Sequence, residues 1–243
     1  MRTKILGVSF DNITLHQAVE KAMSFLQNET TGIIFTPNPE MVMLAQRDAE
    51  FAEVLAAADL VIPDGIGIVW ASRFTDAKIS QRVPGIELTL ALLEKISHTG
   101  HSVYFLGGAP GVASAAAAKM QEKFPNIKVC GDHHGYFDNA DDAEIVAEIN
   151  AAKADIVLVG LGFPRQEKWI FRHKEHTCAK IMVGVGGSLD VFSGRVRRAP
   201  GLFQKLGLEW FYRLARQPSR LLRQFALVKF VMLVVSKKGR NLE

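Results

Sequence analysis

One aspartate is flanked by residues that build a sharp corner. In Asp59-Leu60-Val61-Ile62-Pro63-Asp64-Gly65-Ile66-Gly67-Ile68-Val69-Trp70, a short apolar run stops at a proline and two glycines permit a tight turn. Ile66 to Phe74 then reads as a helix. The pattern predicts a strand, a turn and a helix with a carboxylate at the apex. In open α/β sheets, ligands bind at that edge. Two chemistries suit Asp64. It caps the following helix by accepting a backbone N–H, the reading that spacing alone favours, or it works as a base in a cleft.

Other polar groups fall at comparable places. The apolar run Gly32-Ile33-Ile34-Phe35 leads into Thr36-Pro37-Asn38-Pro39-Glu40. Two prolines continue neither a sheet interior nor a helix interior, so Thr36 and Asn38 sit in a stiff strand-end loop. Asn38 also suits the N-cap of a helix over Glu40 to Arg47. Arg82 precedes Pro84, which is placed to start a helix from Gly85 to Ser97. A loop arginine is ordinarily solvated, but at a strand-end site it can clamp a phosphate. Gly107-Gly108 follows the strand Val103 to Leu106 and feeds an alanine-rich helix to Lys123, a weak signal for an anion site. Asp132 lies about 20 residues further on, at the spacing of a ribose-binding acid. His133 and His134 are adjacent but lack a third ligand at metal spacing. His173 and His176 read as solvated. Gln166 falls in the first turn of a helix begun by Pro164.

The remaining elements supply the frame. Ile5 to Phe10 reads as a first strand, and Leu15, Ala18, Ala22 and Leu26 give helical spacing after it. Ala49 to Ala58 reads as a helix, Ile127 to Cys130 as a strand, and Asp132 to Phe137 as a loop. Asp155 to Val159 and Lys180 to Val185 read as further strands. Alternating strands and helices predict an α/β fold, a Rossmann-like, largely parallel sheet flanked by helices. The 243 residues suffice for one large domain with an appendage, and 48% hydrophobic content suffices for its core. Cys130 and Cys178 are far apart, as in a cytosolic chain with reduced thiols.

Charge separates the last part of the chain from the rest. From Arg195 onward there are 12 Lys and Arg against 2 Asp and Glu, a net of +10, which leaves −6 on the remainder. The expected division is a body over 1–194 and a basic helical appendage over 195–243, with Ser193 to Pro200 as linker. Leu206 to Leu214 and Leu221 to Val235 read as its helices. On an unbroken helix Arg213, Arg216, Arg220 and Arg223 fall within about 80° of one another. The apolar run Phe225 to Val235 is interrupted by Lys229 and is too short to span a bilayer, which needs about 20 residues. Lying in a membrane interface fits it better.

The assembled blocks resemble one family. They are Thr36-Pro37-Asn38-Pro39-Glu40, Pro63-Asp64-Gly65-Ile66-Gly67, Arg82-Val83-Pro84-Gly85, Gly160 to Glu167, Gly184 to Gly194, and Arg198-Ala199-Pro200. In that order they resemble the WecG/TagA/CpsF glycosyltransferases over nearly the whole chain. The resemblance implies inverting, metal-independent transfer of N-acetylmannosamine, or a related sugar such as N-acetylmannosaminuronic acid, from a UDP-sugar donor. The acceptor implied is N-acetylglucosamine on undecaprenyl diphosphate, and the product feeds teichoic acid or other surface polysaccharides. It further implies Asp64 as general base, Thr36, Asn38, Arg82 and Gln166 as the active-site polar set, and a tail that docks on the membrane and closes over the site.

The expected site therefore has Asp64 and Arg82 as catalytic groups. Its binding groups are Thr36, Asn38, Gln166, Gly107, Gly108, Asp190, Arg213, Arg220 and Arg223, with no metal and no cofactor. Expected partners are the UDP-sugar donor, the polyprenyl-diphosphate-linked acceptor and an anionic membrane surface, with no nucleic acid; a homo-oligomer is left open. The expected location is cytoplasmic, peripheral to the inner face of the membrane. Two other classes compete: a nicotinamide-dependent oxidoreductase using the Gly107–Asp132 unit, and a nucleic-acid-binding protein using the tail, which carries no recognised motif for that role.

Overall fold

The apolar runs become strands that are covered on both faces. The computed structural model of the protein describes residues 2–205, 207–216 and 221–237. Six strands, β3 (Gly32–Phe35), β4 (Leu60–Val61), β5 (Ser102–Gly107), β6 (Lys128–His133), β7 (Ile156–Gly160) and β8 (Ile181–Gly184), form one sheet in the order β4-β3-β8-β7-β5-β6. Every pairing in it is parallel. A parallel sheet is buried on both faces, which accounts for the nearly continuous apolar strands.

Successive strand residues alternate between two layers. Ile33, Phe35, Tyr104, Leu106, Val157, Val159 and Met182 face one; Ile34, Val103, Phe105, Ile156, Leu158, Ile181 and Val183 face the other. The first layer is covered by α2 (Pro39–Ala45), α3 (Ala49–Ala56), α4 (Ile66–Ser72), α7 (Asp142–Ala151), α8 (Arg165–His173) and α12 (Leu221–Ser236). The second is covered by α1 (Leu15–Ser24), α5 (Gly85–Ile96), α6 (Val112–Lys123) and α9 (Ser188–Phe192). The chain leaves β3 and β7 toward the first layer, and β5 and β8 toward the second. From β3 through β8 and β7 to β5, neighbouring strands therefore send their loops to opposite faces, the arrangement that in open α/β sheets favours a ligand crevice at the carboxyl edge.

Several expectations need correction. The run Ile5 to Phe10 is not one strand. Leu6 and Gly7 take φ of 47° and 80°, which folds the segment into an antiparallel hairpin of β1 (Arg2–Ile5) and β2 (Val8–Asp11). Leucine at positive φ is rare, so composition gave no sign of the turn. The hairpin covers the edge beside β4: Asp11 accepts from Val61 N–H at 2.9 Å and pairs with Arg2 and Lys21. β6 runs through Asp132 to His133, into the stretch expected as a loop, because β5 supplies a partner along its length. Helix α7 was not anticipated; the acids of its first turn disguise a buried face of Ile145, Val146 and Ile149. The helix expected over Leu206 to Leu214 starts later, as α11 (Glu209–Arg216), and an unexpected short helix, α10 (Gly201–Lys205), precedes it, with Gly207 at φ 70° between them.

The segment beyond 194 packs on the rest. Phe230 and Val234 of α12 are fully buried in the first layer. A Cβ on Gly67 of α4 would stand 3.8 Å from both Leu227 and Phe230 and 2.8 Å from Pro39. Gly67 thus lets α2, α4 and α12 converge behind the Asp64 corner. The opposite face of α12 leaves Phe225, Val228, Val231, Met232 and Val235 exposed. No helix among the described residues is long and apolar enough to cross a membrane. Removing the Phe230 ring should leave a core cavity, so Phe230→Ala should cost about 3–5 kcal/mol in urea unfolding. Met232→Ala on the outward face should change stability by about 0.5 kcal/mol or less.

Candidate active site

The loops after β3, β4 and the Arg82 segment are laced by backbone hydrogen bonds. Ile62 N–H donates to Phe35 O at 2.9 Å, Asp64 N–H to Pro37 O at 3.3 Å, and Val83 N–H to Pro63 O at 3.2 Å. Asp64 and Arg82 are thereby brought together, with Asp64 Oδ1 3.7 Å from Arg82 Nη2. The cap position of α4 is Gly65 at φ 105°, with no side-chain capping bond, so the Asp64 carboxylate is not the helix cap that spacing favoured. Asn38 does cap α2: its Oδ1 accepts from Met41 N–H at 3.1 Å. Thr36 stands against the start of α5, where a Cβ on Gly85 would meet Thr36 Oγ1 at 2.7 Å. Thr36, Asn38, Asp64 and Arg82 thus share one corner of the carboxyl edge.

Arg82 also belongs to a chain of alternating charges. Its Nη2 donates to Glu209 Oε2 at 2.6 Å, Arg198 Nε donates to Glu209 Oε1 at 3.2 Å, and Arg198 Nη2 donates to Glu87 Oε1 at 2.6 Å. Burial pushes the Glu209 carboxyl up, but the two guanidiniums outweigh it and hold the group below the ordinary value. Arg82 Nε is buried without a hydrogen-bond partner among the described residues. Sequence reasoning did not place Arg198 or Glu209 in the site. The available signal was that Glu209 is the one acid of the basic segment before the terminal residue.

Gln166 lies beneath this corner, with its amide engaged by the protein itself. Its Oε1 accepts from Gly186 N–H at 2.9 Å and its Nε2 donates to Glu167 Oε1 at 2.6 Å. A Cβ on Gly184 would stand 2.9 Å from Gln166 Nε2 and 3.4 Å from Phe35, which puts Gln166 beside the end of β3. Glu167 is buried, and its Oε2 has no partner among the described residues. Burial, opposed by the bond from Gln166, pushes its carboxyl up to about 7.

The glycine turn is further off. β5 is the fourth neighbour from β4, or about 19 Å at the usual strand spacing. Gly107 takes φ 132°, Gly108 N–H donates to Gly160 O at 3.1 Å, and Gly135 N–H donates to Gly108 O at 2.8 Å. Only an extended ligand could touch both this turn and Asp64. Asp132 accepts from Ser114 Oγ, so the acid expected at a ribose is paired within the protein. Asp190 is half-buried in the first turn of α9, with its backbone O accepting from Val196 N–H at 2.9 Å. Arg220 lies outside the described residues, as do the side chains of Arg213 and Arg223. His173 is not solvated: its Nε2 is 3.0 Å from Asp142 Oδ2, and Asp142 also accepts from Trp169 Nε1 at 2.9 Å. His176 is exposed. No cluster of three His, Cys, Asp or Glu suited to a metal occurs among the described residues.

A carboxylate beside a guanidinium at the carboxyl edge of a doubly wound sheet is equipped to move a proton next to a bound anion. The chain matches the model of the glycosyl transferase WecG/TagA/CpsF family over residues 3–243, and it belongs to that family. It is a glycosyltransferase. Among similar proteins, one from Staphylococcus aureus strain MRSA252 is 40% identical over 242 residues, covering 98% of this chain and 94% of its own. Another, from Staphylococcus aureus strain MW2, is 39% identical with the same coverage. Both bear the name N-acetylglucosaminyldiphosphoundecaprenol N-acetyl-beta-D-mannosaminyltransferase. Family membership sets aside the oxidoreductase and nucleic-acid readings.

Glu167 makes stability depend on pH. The folded carboxyl keeps its proton to about pH 7, whereas the ordinary value is 4.5. Between these the folded state binds more protons, so stability falls as pH rises through that window. At about 1.4 kcal/mol per unit the loss is on the order of 3 kcal/mol. Glu167→Gln should abolish that loss and exceed the parent protein in urea stability at about pH 8, while matching it at about pH 5.

Proposed function

We propose that the protein transfers N-acetylmannosamine, or a related sugar, from its UDP donor to a hydroxyl of N-acetylglucosamine on undecaprenyl diphosphate, without a metal and with inversion. The observation that carries this reading is the Asp64–Arg82 pair at 3.7 Å, in a chain whose relatives bear the transferase name given above. Asp64 takes the proton of the acceptor hydroxyl. The acceptor oxygen bonds to the anomeric carbon from the face opposite UDP, and the electron pair of the breaking bond leaves on the diphosphate. Arg82 stabilises that developing charge, the part a divalent cation plays elsewhere. Thr36 and Asn38 line the same corner, and Gln166 shapes its floor. Gly107 and Gly108 suit a more distant part of an extended donor, while Asp190 and the tail arginines complete the proposed binding set.

The test is a donor screen, pairing several UDP-sugars with a short-chain lipid diphosphate N-acetylglucosamine acceptor. UDP-N-acetylmannosamine should be used, and EDTA should leave the rate unchanged. Asp64→Asn should retain thermal stability, since the carboxylate does not cap α4, and should lose about 100-fold or more in kcat. Near-parental turnover by the folded Asn protein would remove Asp64 as the base.

We further infer that the segment from 195 onward rests on an anionic membrane surface. Leu202, Trp210 and Phe211 are exposed, as is the outward face of α12, within a segment of net charge +10. Each basic residue near an anionic leaflet contributes about 1 kcal/mol, and apolar side chains entering the interface add to it. Val228→Asp with Met232→Asp should weaken co-sedimentation with phosphatidylglycerol vesicles and leave the melting temperature within a few degrees of the parent. Unchanged sedimentation would show that this face does not meet lipid.

A further inference from the structure

We propose that Arg82 and Arg198 together form one diphosphate site and that Glu209 of α11 is a built-in competitor for it. The proposal deepens the transfer reading above and rests on it only for which diphosphate is bound. Its starting point is geometry. One carboxylate offers an oxygen to each of two guanidiniums, Oε2 to Arg82 Nη2 at 2.6 Å and Oε1 to Arg198 Nε at 3.2 Å. Adjacent phosphoryl oxygens offer the same two-point contact. The guanidinium of Arg82 is not saturated, because its buried Nε–H has no partner among the described residues.

Occupancy requires Glu209 to withdraw. Among the described residues Asp64, Arg82, Glu209, Arg198 and Glu87 alternate in sign along the chain of contacts, and Glu209 holds both guanidiniums. With Glu209 withdrawn, Arg82 Nη2 and Arg198 Nε are released toward the anion, while Arg198 Nη2 keeps its bond to Glu87. Glu209 retains a favourable place after withdrawal, since it lies in the first turn of α11, where the helix dipole favours negative charge. Glu209 is also the residue through which the described ion pairs tie α11 to the body, while Trp210 and Phe211 beside it point outward. Diphosphate binding therefore exchanges these two ion pairs for contacts to the anion.

The test uses inorganic pyrophosphate, UDP and geranyl diphosphate as probes, with calorimetric titration of the full chain. Glu209→Gln should bind pyrophosphate about tenfold more tightly or better, the scale of one charge-assisted hydrogen bond removed from competition. Arg198→Gln should bind it about tenfold more weakly. A gain with UDP alone assigns the site to the donor, and a gain with geranyl diphosphate alone assigns it to the acceptor; either supports the site. Unchanged or weaker binding of all three probes by Glu209→Gln overturns it. Hydrogen exchange on the parent chain gives an answer that needs no variant. Pyrophosphate should slow amide exchange around Arg82 and Arg198, whereas a purely structural ion pair predicts no change there. Binding of pyrophosphate does not depend on sugar transfer. A chain that shows this competition yet transfers no N-acetylmannosamine keeps the site and refutes the transfer reading.

Discussion

A sheet whose strands all run the same way must place every carboxyl end on one edge. Here β4, β3, β8 and β7 are neighbours, so the loops carrying Asp64, Thr36 and Asn38, the Gly186 turn and Gln166 leave from adjacent strand ends. These strands are buried on both faces and belong to the least deformable part of the molecule. The loops inherit that rigidity through backbone bonds such as Asp64 N–H to Pro37 O and Val83 N–H to Pro63 O. The polar groups of the corner are therefore held in place by the core.

Close approach of backbones is the second requirement, and glycine meets it where a side chain would intrude. Gly85 allows α5 to begin against Thr36, and Gly67 allows α4 to approach Pro39 while α12 lies on top. The buried face of α12 is thus mechanically continuous with the Asp64 corner, although its sequence lies far from it. Electrostatics adds a second link between the same regions, through Glu209 and Arg198. The segment after 194 is coupled to the site both by packing and by charge.

Polar groups below the corner are specialised for holding shape. Gln166 uses both ends of its amide to join the start of α8 to the turn after β8. Glu167 is the buried partner of that amide, and desolvation keeps its carboxyl protonated well above the ordinary range. A neutral acid costs less to bury than a carboxylate, so the bond to Gln166 persists in a dry environment. Gln166 was expected to bind substrate, and in the structure both ends of its amide are engaged by the protein itself.

The sequence by itself determined the α/β class, because alternating apolar runs and amphipathic stretches leave few other ways to bury 48% hydrophobic residues. It determined the Asp64 corner and the strand-end loops of Thr36 and Asn38 as well, since proline and glycine restrict the backbone locally. It also led, through ordered blocks of residues, to the family. Tertiary structure decided what local pattern does not encode. It turned Ile5 to Phe10 into a hairpin through a leucine at positive φ, and it kept β6 extended through Asp132 by pairing it with β5. It withdrew Asp64 from the cap position by a single residue. It set Glu209 between Arg82 and Arg198, separated from Arg82 by more than half the chain. Ion pairs of that kind depend on three-dimensional proximity, and proximity across such a separation is fixed only when the core has closed.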